Sequence, residues 1–199
     1  GSILLVGGEK FGLIQFDTEG NYRHFKANTS CAAGTGSFLD QQADRLNLAG
    51  IEQLSEIAFT NTGVIPKIAS RCAVFAKTDL VHAQQEGFSL EAICDGLCRG
   101  LAKNIVDTLF SGEITRGPVL VVGGVDRNEA VVRHLRGLVD LEVVVDTGVP
   151  HGASGAAMRL LEAGGRTRQS VLRSYPSLWT GGARGRAYEY PPLELTLST

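Results

Sequence analysis

Two short apolar runs, each ending in a pair of glycines, constrain the fold of this chain most strongly. Ile3–Val6 leads into Gly7-Gly8, and Val119–Val122 leads into Gly123-Gly124. An apolar run of this length that stops at glycine is typical of a short buried strand followed by a tight turn. The chain therefore contains at least two strands that are far apart in sequence, with a long intervening stretch.

The complete pattern predicts an α/β fold in which a mixed sheet is flanked by helices. Three strands come first, an all-helical middle forms an insertion, and two strand and helix units follow. Residues 164–199 contain glycine pairs, prolines and scattered tyrosines and arginines, which is typical of a linker or tail. The predicted strands are 3–6, 11–16, 22–25, 119–122 and 141–145, and the predicted helices are 35–46, 51–58, 72–85, 90–110, 129–138 and 154–163.

Composition excludes several classes of function. A hydrophobic fraction of 43% over 199 residues is enough for a packed core, and a net charge of -2 provides no basic field for nucleic acid. No apolar stretch reaches the roughly 18 residues that span a membrane, and no signal sequence is recognisable. We therefore expect no nucleic-acid or membrane partner and a cytoplasmic location.

The four cysteines fall into two pairs with different surroundings. Cys31 and Cys72 each follow hydroxyl residues and precede a helical pattern, so each sulfur would lie at a helix start. A thiolate is stabilised there, and thiolates are metal ligands. Two thiolates cannot complete the tetrahedral zinc site or iron–sulfur cluster that takes four, but a two-fold dimer could. Cys94 and Cys98, one turn apart on an apolar helix, are predicted to be core residues.

The glycine corners and several polar side chains are weaker indications of a functional site. Bare backbone at Gly7-Gly8-Glu9 could line phosphates, and Gly123-Gly124 with the following turn could approach an adenosine. Asn128 is predicted to be a ligand contact or a helix cap, whereas Asp126 and Arg127 are interpreted as turn polarity. Lys77 and Asp79 are predicted to lie on a solvated helix face. The four histidines show no metal-like spacing.

These motifs together resemble one family, the ATP-dependent activators of 2-hydroxyacyl-CoA dehydratases and benzoyl-CoA reductases. The resemblance extends over about residues 3–163 and keeps the family order of motifs. It implies the fold of actin, sugar kinases and Hsp70-type chaperones, with residues 1–163 as the C-terminal ribonuclease-H-like half and 164–199 as a linker. The motifs are Gly7-Gly8-Glu9, Asn28 to Asp40 around Cys31, Ser70 to Ala76 around Cys72, and Gly123-Gly124-Val125.

The resemblance also implies roles for individual residues. Cys31 and Cys72 of two subunits would jointly hold one [4Fe-4S] cluster, which would pass an electron to a dehydratase or reductase partner. Glu9 would act in catalysis and, with Gly7 and Gly8, would face phosphate and Mg²⁺ of bound ATP or ADP. Gly34, Thr35 and Gly36 would lie near the phosphates, and Gly123, Gly124 and Asn128 would hold the adenosine.

Two departures from the family pattern leave alternatives open. Leu5 stands where the small activators carry an acidic residue, and no Asp-x-Gly-Ser phosphate loop is present. We therefore expect a fragment of a larger multidomain protein that is inactive alone as an ATPase. The alternatives are a sugar-kinase-like or N-acetylhexosamine-kinase-like phosphotransferase with incidental cysteines, a catalytically silent dimerisation or scaffold module, and a structural zinc site across the dimer.

Overall fold

The structure, a computed structural model, describes residues 1–28, 35–69, 73–111, 115, 117–146 and 150–162. In the described ranges it contains five strands and six α-helices in the predicted order, together with a short 3-10 helix at Gly124–Arg127. The strands are β1 (Ser2–Val6), β2 (Phe11–Phe16), β3 (Tyr22–Ala27), β4 (Val119–Val122) and β5 (Val143–Val145). The helices are α1 (Gly36–Arg45), α2 (Ile51–Phe59), α3 (Ala73–Gln85), α4 (Leu90–Leu109), α5 (Glu129–Leu138) and α6 (His151–Glu162).

The strands form one mixed sheet in the order β3-β2-β1-β4-β5. The first three are joined by antiparallel pairing, and the turn between β2 and β3 is closed by the Asp17 carboxylate, which accepts from the backbone N–H groups of Glu19 and Asn21. β4 pairs in parallel with both β1 and β5. The predicted mixed sheet is confirmed.

The parallel register of β1 and β4 brings the two glycine pairs to the same edge of the sheet. Leu5 of β1 is paired with Val122 of β4, so the two strands reach their Gly-Gly corners with an offset of one residue, Gly123 lying beside Val6. Parallel strands end at a common edge, and this is where open α/β sheets bind ligands. The topology therefore joins two corners that are distant in sequence.

The helical layer is organised around α4, which packs against α2, α3 and α5. Ser89 caps this helix by accepting a hydrogen bond from the Ala92 N–H at 3.3 Å. Nearly every residue from Ala92 to Ile105 is buried, including Cys94, Leu97 and Leu101. A helix that is buried on almost all sides is the centre of a core rather than a surface element.

Three predicted boundaries differ from the structure by two residues or more, the first being the end of β3, which lies at Ala27 instead of Phe25. β5 begins at Val143 instead of Leu141, because its partner β4 begins at Val119, directly after a proline that has no N–H to donate. α6 begins at His151 instead of Ser154, and it contains Gly152 and Gly155 within its length. The His151 imidazole lies 3.3 Å from the Asp146 carboxylate just after β5.

The chain divides into two units, Gly1–His151 and Gly152–Thr199. The first contains the sheet and helices α1 to α5. Of the second unit, only the part of α6 up to Glu162 belongs to the described residues, so the predicted linker at 164–199 lies outside them. Within the described ranges, no helix has the length and apolar character needed to cross a bilayer.

Candidate functional site

The first glycine corner is joined to the start of α1 by backbone hydrogen bonds. The Gly36 N–H donates to the Gly7 carbonyl at 3.0 Å, and the Ser37 N–H donates to the Gly8 carbonyl at 2.8 Å. Two of the N–H groups that a helix start leaves unpaired are therefore satisfied by the β1 corner. Thr35, the residue before the helix, is fully buried. The structure thus brings Gly7, Gly8, Thr35 and Gly36 together.

The second corner packs directly against the end of β1. Gly123 has φ of 107°, and a Cβ atom placed there would lie 2.4 Å from the Val6 carbonyl oxygen. At Gly36, a Cβ atom would lie 3.3 Å from Cγ2 of Val125 and 3.4 Å from the Gly8 Cα. The two corners and the start of α1 therefore meet in one place, where side chains are excluded by backbone.

Other parts of this junction are open. Gly124 is exposed, and a Cβ atom built on it would meet no heavy atom within 4 Å. Gly8 and Glu9 are also exposed. Bare backbone that is accessible at the carboxyl edge of a parallel strand pair can approach a phosphate or a ribose closely. The junction therefore leaves no room for side chains at Gly36 and Gly123, whereas its outer part, at Gly8, Glu9 and Gly124, is accessible to a ligand.

Asn128 ends the turn that follows the second corner and begins α5. Its Oδ1 accepts from the Val131 N–H at 2.9 Å, and the residue is 3% exposed. Its Nδ2 is buried and has no hydrogen-bond partner among the described residues. Of the two roles predicted for Asn128, the structure contains the helix cap.

A cavity of about 890 Å³ opens beside the second corner. It lies where the end of α2, the turn 124–127, α5 and β5 meet, and it is large enough for a small organic ligand. Asp126 and Arg127, interpreted from the sequence as turn polarity, line this cavity. Phe59, Glu129, Arg133 and Arg136 also line it.

A buried carboxylate fixes one wall of this cavity. Asp95 of α4, with 2% of its side chain exposed, accepts from Arg133 Nη2 at 2.7 Å and lies 2.6 Å from His134 Nε2. Its second oxygen accepts from Asn61 Nδ2 at 2.9 Å. The Arg133 guanidinium carbon lies 5.0 Å from the centre of the Phe59 ring. One carboxylate therefore connects α2, α4 and α5.

Three predicted site residues, Cys31, Cys72 and Gly34, lie outside the described residues. The elements beside the two cysteines are described: α1 begins five residues after Cys31, and α3 begins at the residue after Cys72. Both helices thus begin close to where the sequence predicted. The ligand role of the two cysteines stays a prediction.

The segment that leads toward Cys72 is held against α4 and α3. A Cβ atom on Gly96 would lie 3.1 Å from the Pro66 carbonyl oxygen, and one on Gly100 would lie 3.5 Å from that of Ile68. The Ala69 N–H donates to the Asp79 carboxylate at 2.7 Å. The prediction that Asp79 belongs to a solvated face is therefore wrong, because this carboxylate is half-buried and bonded to backbone.

The second cysteine pair is confirmed as core. Cys94 and Cys98 are free thiols with no exposed surface. Burial raises the pKa of Cys94 to about 12, with smaller contributions from the negative charges of Glu91 and Asp95. Burial also raises the pKa of Cys98, whose sulfur lies 3.9 Å from Asn128 Oδ1. Both therefore stay protonated at neutral pH, a form that does not ligate metal.

Sequence reasoning missed Asp95, Phe59 and Arg133. Asp95 carried a usable signal, since it is an acidic residue in the middle of an otherwise apolar helix pattern. Phe59 and Arg133 carried none, because an aromatic at a helix end and an arginine on an amphipathic helix are common. Among the described residues, no group of three or more histidine, cysteine and acidic side chains could hold a metal ion.

Comparison with known proteins finds a matching family and several similar proteins. The BadF/BadG/BcrA/BcrD ATPase family profile matches residues 1–158. The 2-hydroxyisocaproyl-CoA dehydratase activator of Clostridioides difficile is 29% identical over 171 residues, which are 85% of this chain and 63% of that protein. The activator of lactoyl-CoA dehydratase from Anaerotignum propionicum is 31% identical, over 81% of this chain and 62% of that protein.

A solved structure agrees with the sequence comparison. The activator of the 2-hydroxyisocaproyl-CoA dehydratase from Clostridium difficile, with bound ADPNP, superimposes with a TM-score of 0.72 at 30% identity. The match covers 81% of this chain and 60% of that one, so the chain spans less than two thirds of these relatives. The predicted actin and Hsp70-like fold is confirmed.

Proposed function

Because the chain belongs to the BadF/BadG/BcrA/BcrD ATPase family, we propose that it is a domain of an ATP-dependent activator that donates electrons to a partner enzyme. The partner would be a 2-hydroxyacyl-CoA dehydratase or an enzyme similar to benzoyl-CoA reductase. Residues 1–163 would form the C-terminal half of the ATPase domain, and 164–199 would be a linker. Since the chain spans only part of its relatives, we expect the other half of the cleft to be needed for hydrolysis.

The observation that carries the nucleotide part of this proposal is the meeting of two Gly-Gly corners at one sheet edge, beside a cavity. Gly7, Gly8 and Gly36 would lie near the phosphates, with Gly34 and Thr35 contributing from the preceding segment. Gly124 leaves its backbone open toward a ligand, whereas Gly123 lets the corner pack against β1. The nucleoside would then extend from the second corner into the cavity.

The side chains of Glu9 and Asn128 complete the proposed nucleotide site. Glu9 is exposed at the first corner, where its carboxylate could bind Mg²⁺ of a bound nucleotide, since Mg²⁺ prefers oxygen ligands. Asn128 would act mainly through the helix it caps, which sets the position of the adenosine-facing turn. Leu5, half-exposed on β1, supplies no carboxylate, so Glu9 is the acidic residue proposed for this corner.

The electron-donor part of the proposal rests on Cys31 and Cys72. Four thiolates, two from each subunit of a homodimer, would hold a [4Fe-4S] cluster, which supplies a one-electron carrier when bound. Three features of the chain fit that group. α3 begins at the residue after Cys72 and α1 five residues after Cys31, Ala69 is anchored close to Cys72 in sequence, and the other two cysteines are buried thiols.

An exposed aromatic side chain near Cys72 supports a subunit interface there. Phe75, in the first turn of α3, is 65% exposed, and Val81 on the same helix is 49% exposed. Because the two side chains are six residues apart, they lie about 120° apart around the helix and form no single patch, so only Phe75, in the turn next to Cys72, is proposed to be covered by a second copy. A second copy of the chain would bring the missing pair of thiolates.

The test of this proposal is the iron and acid-labile sulfide content of protein purified without oxygen. We expect about four irons per dimer in the wild type, and loss of the iron in both Cys31→Ser and Cys72→Ser. Cys94→Ala is the matched control, because it removes a thiol that is buried and protonated. Its iron content should equal that of the wild type.

The other outcomes identify the alternatives. Zinc bound in place of iron, with the same dependence on Cys31 and Cys72, would indicate a structural metal site. A folded dimer that binds neither metal would contradict the electron-donor function and leave the phosphotransferase and scaffold alternatives. ATP hydrolysis stimulated by a sugar in the full-length protein would then select the phosphotransferase.

A further inference from the structure

We infer that Asp95 is a positioning residue for the nucleoside end of the site, where it holds the Arg133 guanidinium against the Phe59 ring as one wall of the cavity. This inference rests on the proposed nucleotide function and names the residues that would set affinity for the base. The ligand group that this wall would bind is a planar aromatic heterocycle, such as adenine. Neither Asp95, Arg133 nor Phe59 belongs to a recognisable glycine or cysteine motif.

The guanidinium is held from two directions. Arg133 Nη2 donates to the Asp95 carboxylate at 2.7 Å and to the Ala58 carbonyl at 3.3 Å, while Nη1 lies 3.4 Å from the Phe59 carbonyl. A charged hydrogen bond to a carboxylate is about twice as strong as a neutral one. The bond to Asp95 is therefore the main constraint on the orientation of the group, and the two carbonyl bonds fix its plane.

This orientation produces a flat surface that a ligand can reach. The guanidinium carbon lies 5.0 Å from the centre of the Phe59 ring, a distance typical of cation–π contact. The Phe59 residue is 50% exposed and the Arg133 side chain 37% exposed, and both line the cavity. A planar guanidinium and an aromatic ring are both groups on which a nucleobase stacks.

A purely structural role explains Asp95 less well. Burying a carboxylate costs desolvation free energy, and apolar residues of similar size often stabilise a core as well or better. Asp95 nevertheless lies at 2% exposure between α2, α4 and α5. Of its three side-chain partners, Asn61 follows α2, and Arg133 and His134 are on α5. The carboxylate thus acts on the elements that form the cavity wall.

The test separates binding of the base from binding of phosphate. Adenosine and inorganic tripolyphosphate are titrated separately into the 199-residue chain by calorimetry or ligand-observed NMR. In Asp95→Asn, which keeps shape but removes charge, we expect adenosine to bind about tenfold more weakly, while tripolyphosphate affinity stays within about twofold. Phe59→Leu, at a half-exposed position where folding is little affected, should give the same split.

The control is Asp107→Asn, the same chemical change farther along α4, where the carboxylate pairs with Lys103 at the surface. It should leave both affinities unchanged. Equal weakening of adenosine and tripolyphosphate in both variants would mean a general structural role, and unchanged adenosine affinity in both would also overturn the inference. If tripolyphosphate binds but adenosine does not, the inference fails while the phosphate site stands. If the wild type binds neither, the nucleotide proposal itself fails.

Discussion

The two glycine corners follow neighbouring parallel strands at the same sheet edge, yet their glycines are there for different reasons. At the second corner, Gly123 has a left-handed backbone and presses against the Val6 carbonyl, so the fold itself requires glycine. Gly124, the next residue, has free space around it. At the first corner, a Cβ atom on Gly7 would lie 3.3 Å from the Lys10 carbonyl oxygen and one on Gly8 3.4 Å from Ser37 Oγ, which are tight contacts but not overlaps. A Gly-Gly pair can thus combine one residue needed for packing with one left open toward a ligand.

The largest effect should come from Gly123→Ala. The new methyl group would overlap the Val6 carbonyl, and the backbone would carry a positive φ with a side chain. Strain and overpacking together should lower the free energy of unfolding by roughly 3–5 kcal/mol, measured by urea denaturation. Gly7→Ala is the matched change at the first corner and should cost far less. Equal losses for the two would contradict the distinction between the corners.

An intermediate effect on stability is expected for Asn128→Ala, which removes the side chain that caps α5 after the second corner. Loss of the bond to the Val131 N–H should reduce the free energy of unfolding by about 1–2 kcal/mol. Asn128→Ser should recover part of this stability, since a hydroxyl also caps. If stability is unchanged but adenosine affinity falls, Asn128 is a ligand contact and not mainly a cap.

The smallest effect on stability should be that of Gly124→Ala. A methyl group there meets no heavy atom within 4 Å, so the free energy of unfolding should change by less than about 0.5 kcal/mol. Nucleotide affinity, measured by calorimetry, should fall about tenfold, because the ligand would no longer reach bare backbone. An unchanged affinity would show that Gly124 only makes a turn.

Local patterns were sufficient to predict the elements of the fold. Apolar runs ending in glycine gave β1 and β4, and helical spacing gave α1 to α5 with bounds within one or two residues. The errors arose where tertiary context decides. The start of β5 depends on where β4 begins, and no pattern within 141–145 contains that information.

The candidate site was only partly predictable, for a physical reason. Glycine corners have a sequence signature because backbone geometry demands glycine, so Gly7, Gly36 and Gly123 were identified before the structure placed them together. The cavity wall has no such signature. Phe59, Asp95 and Arg133 come from three helices, and their association depends on how those helices pack.

The glycines of α4 link two parts of the molecule mechanically. Asp95, which holds the cavity wall, is followed directly by Gly96, where a Cβ atom would lie only 3.1 Å from the Pro66 carbonyl oxygen of the segment leading toward Cys72. Adjacent residues of one continuous helix cannot move independently. The Pro66–Ile68 segment leaves little room for even a Cβ atom on Gly96, so a shift of α4 toward this segment and a shift of the segment itself are sterically coupled.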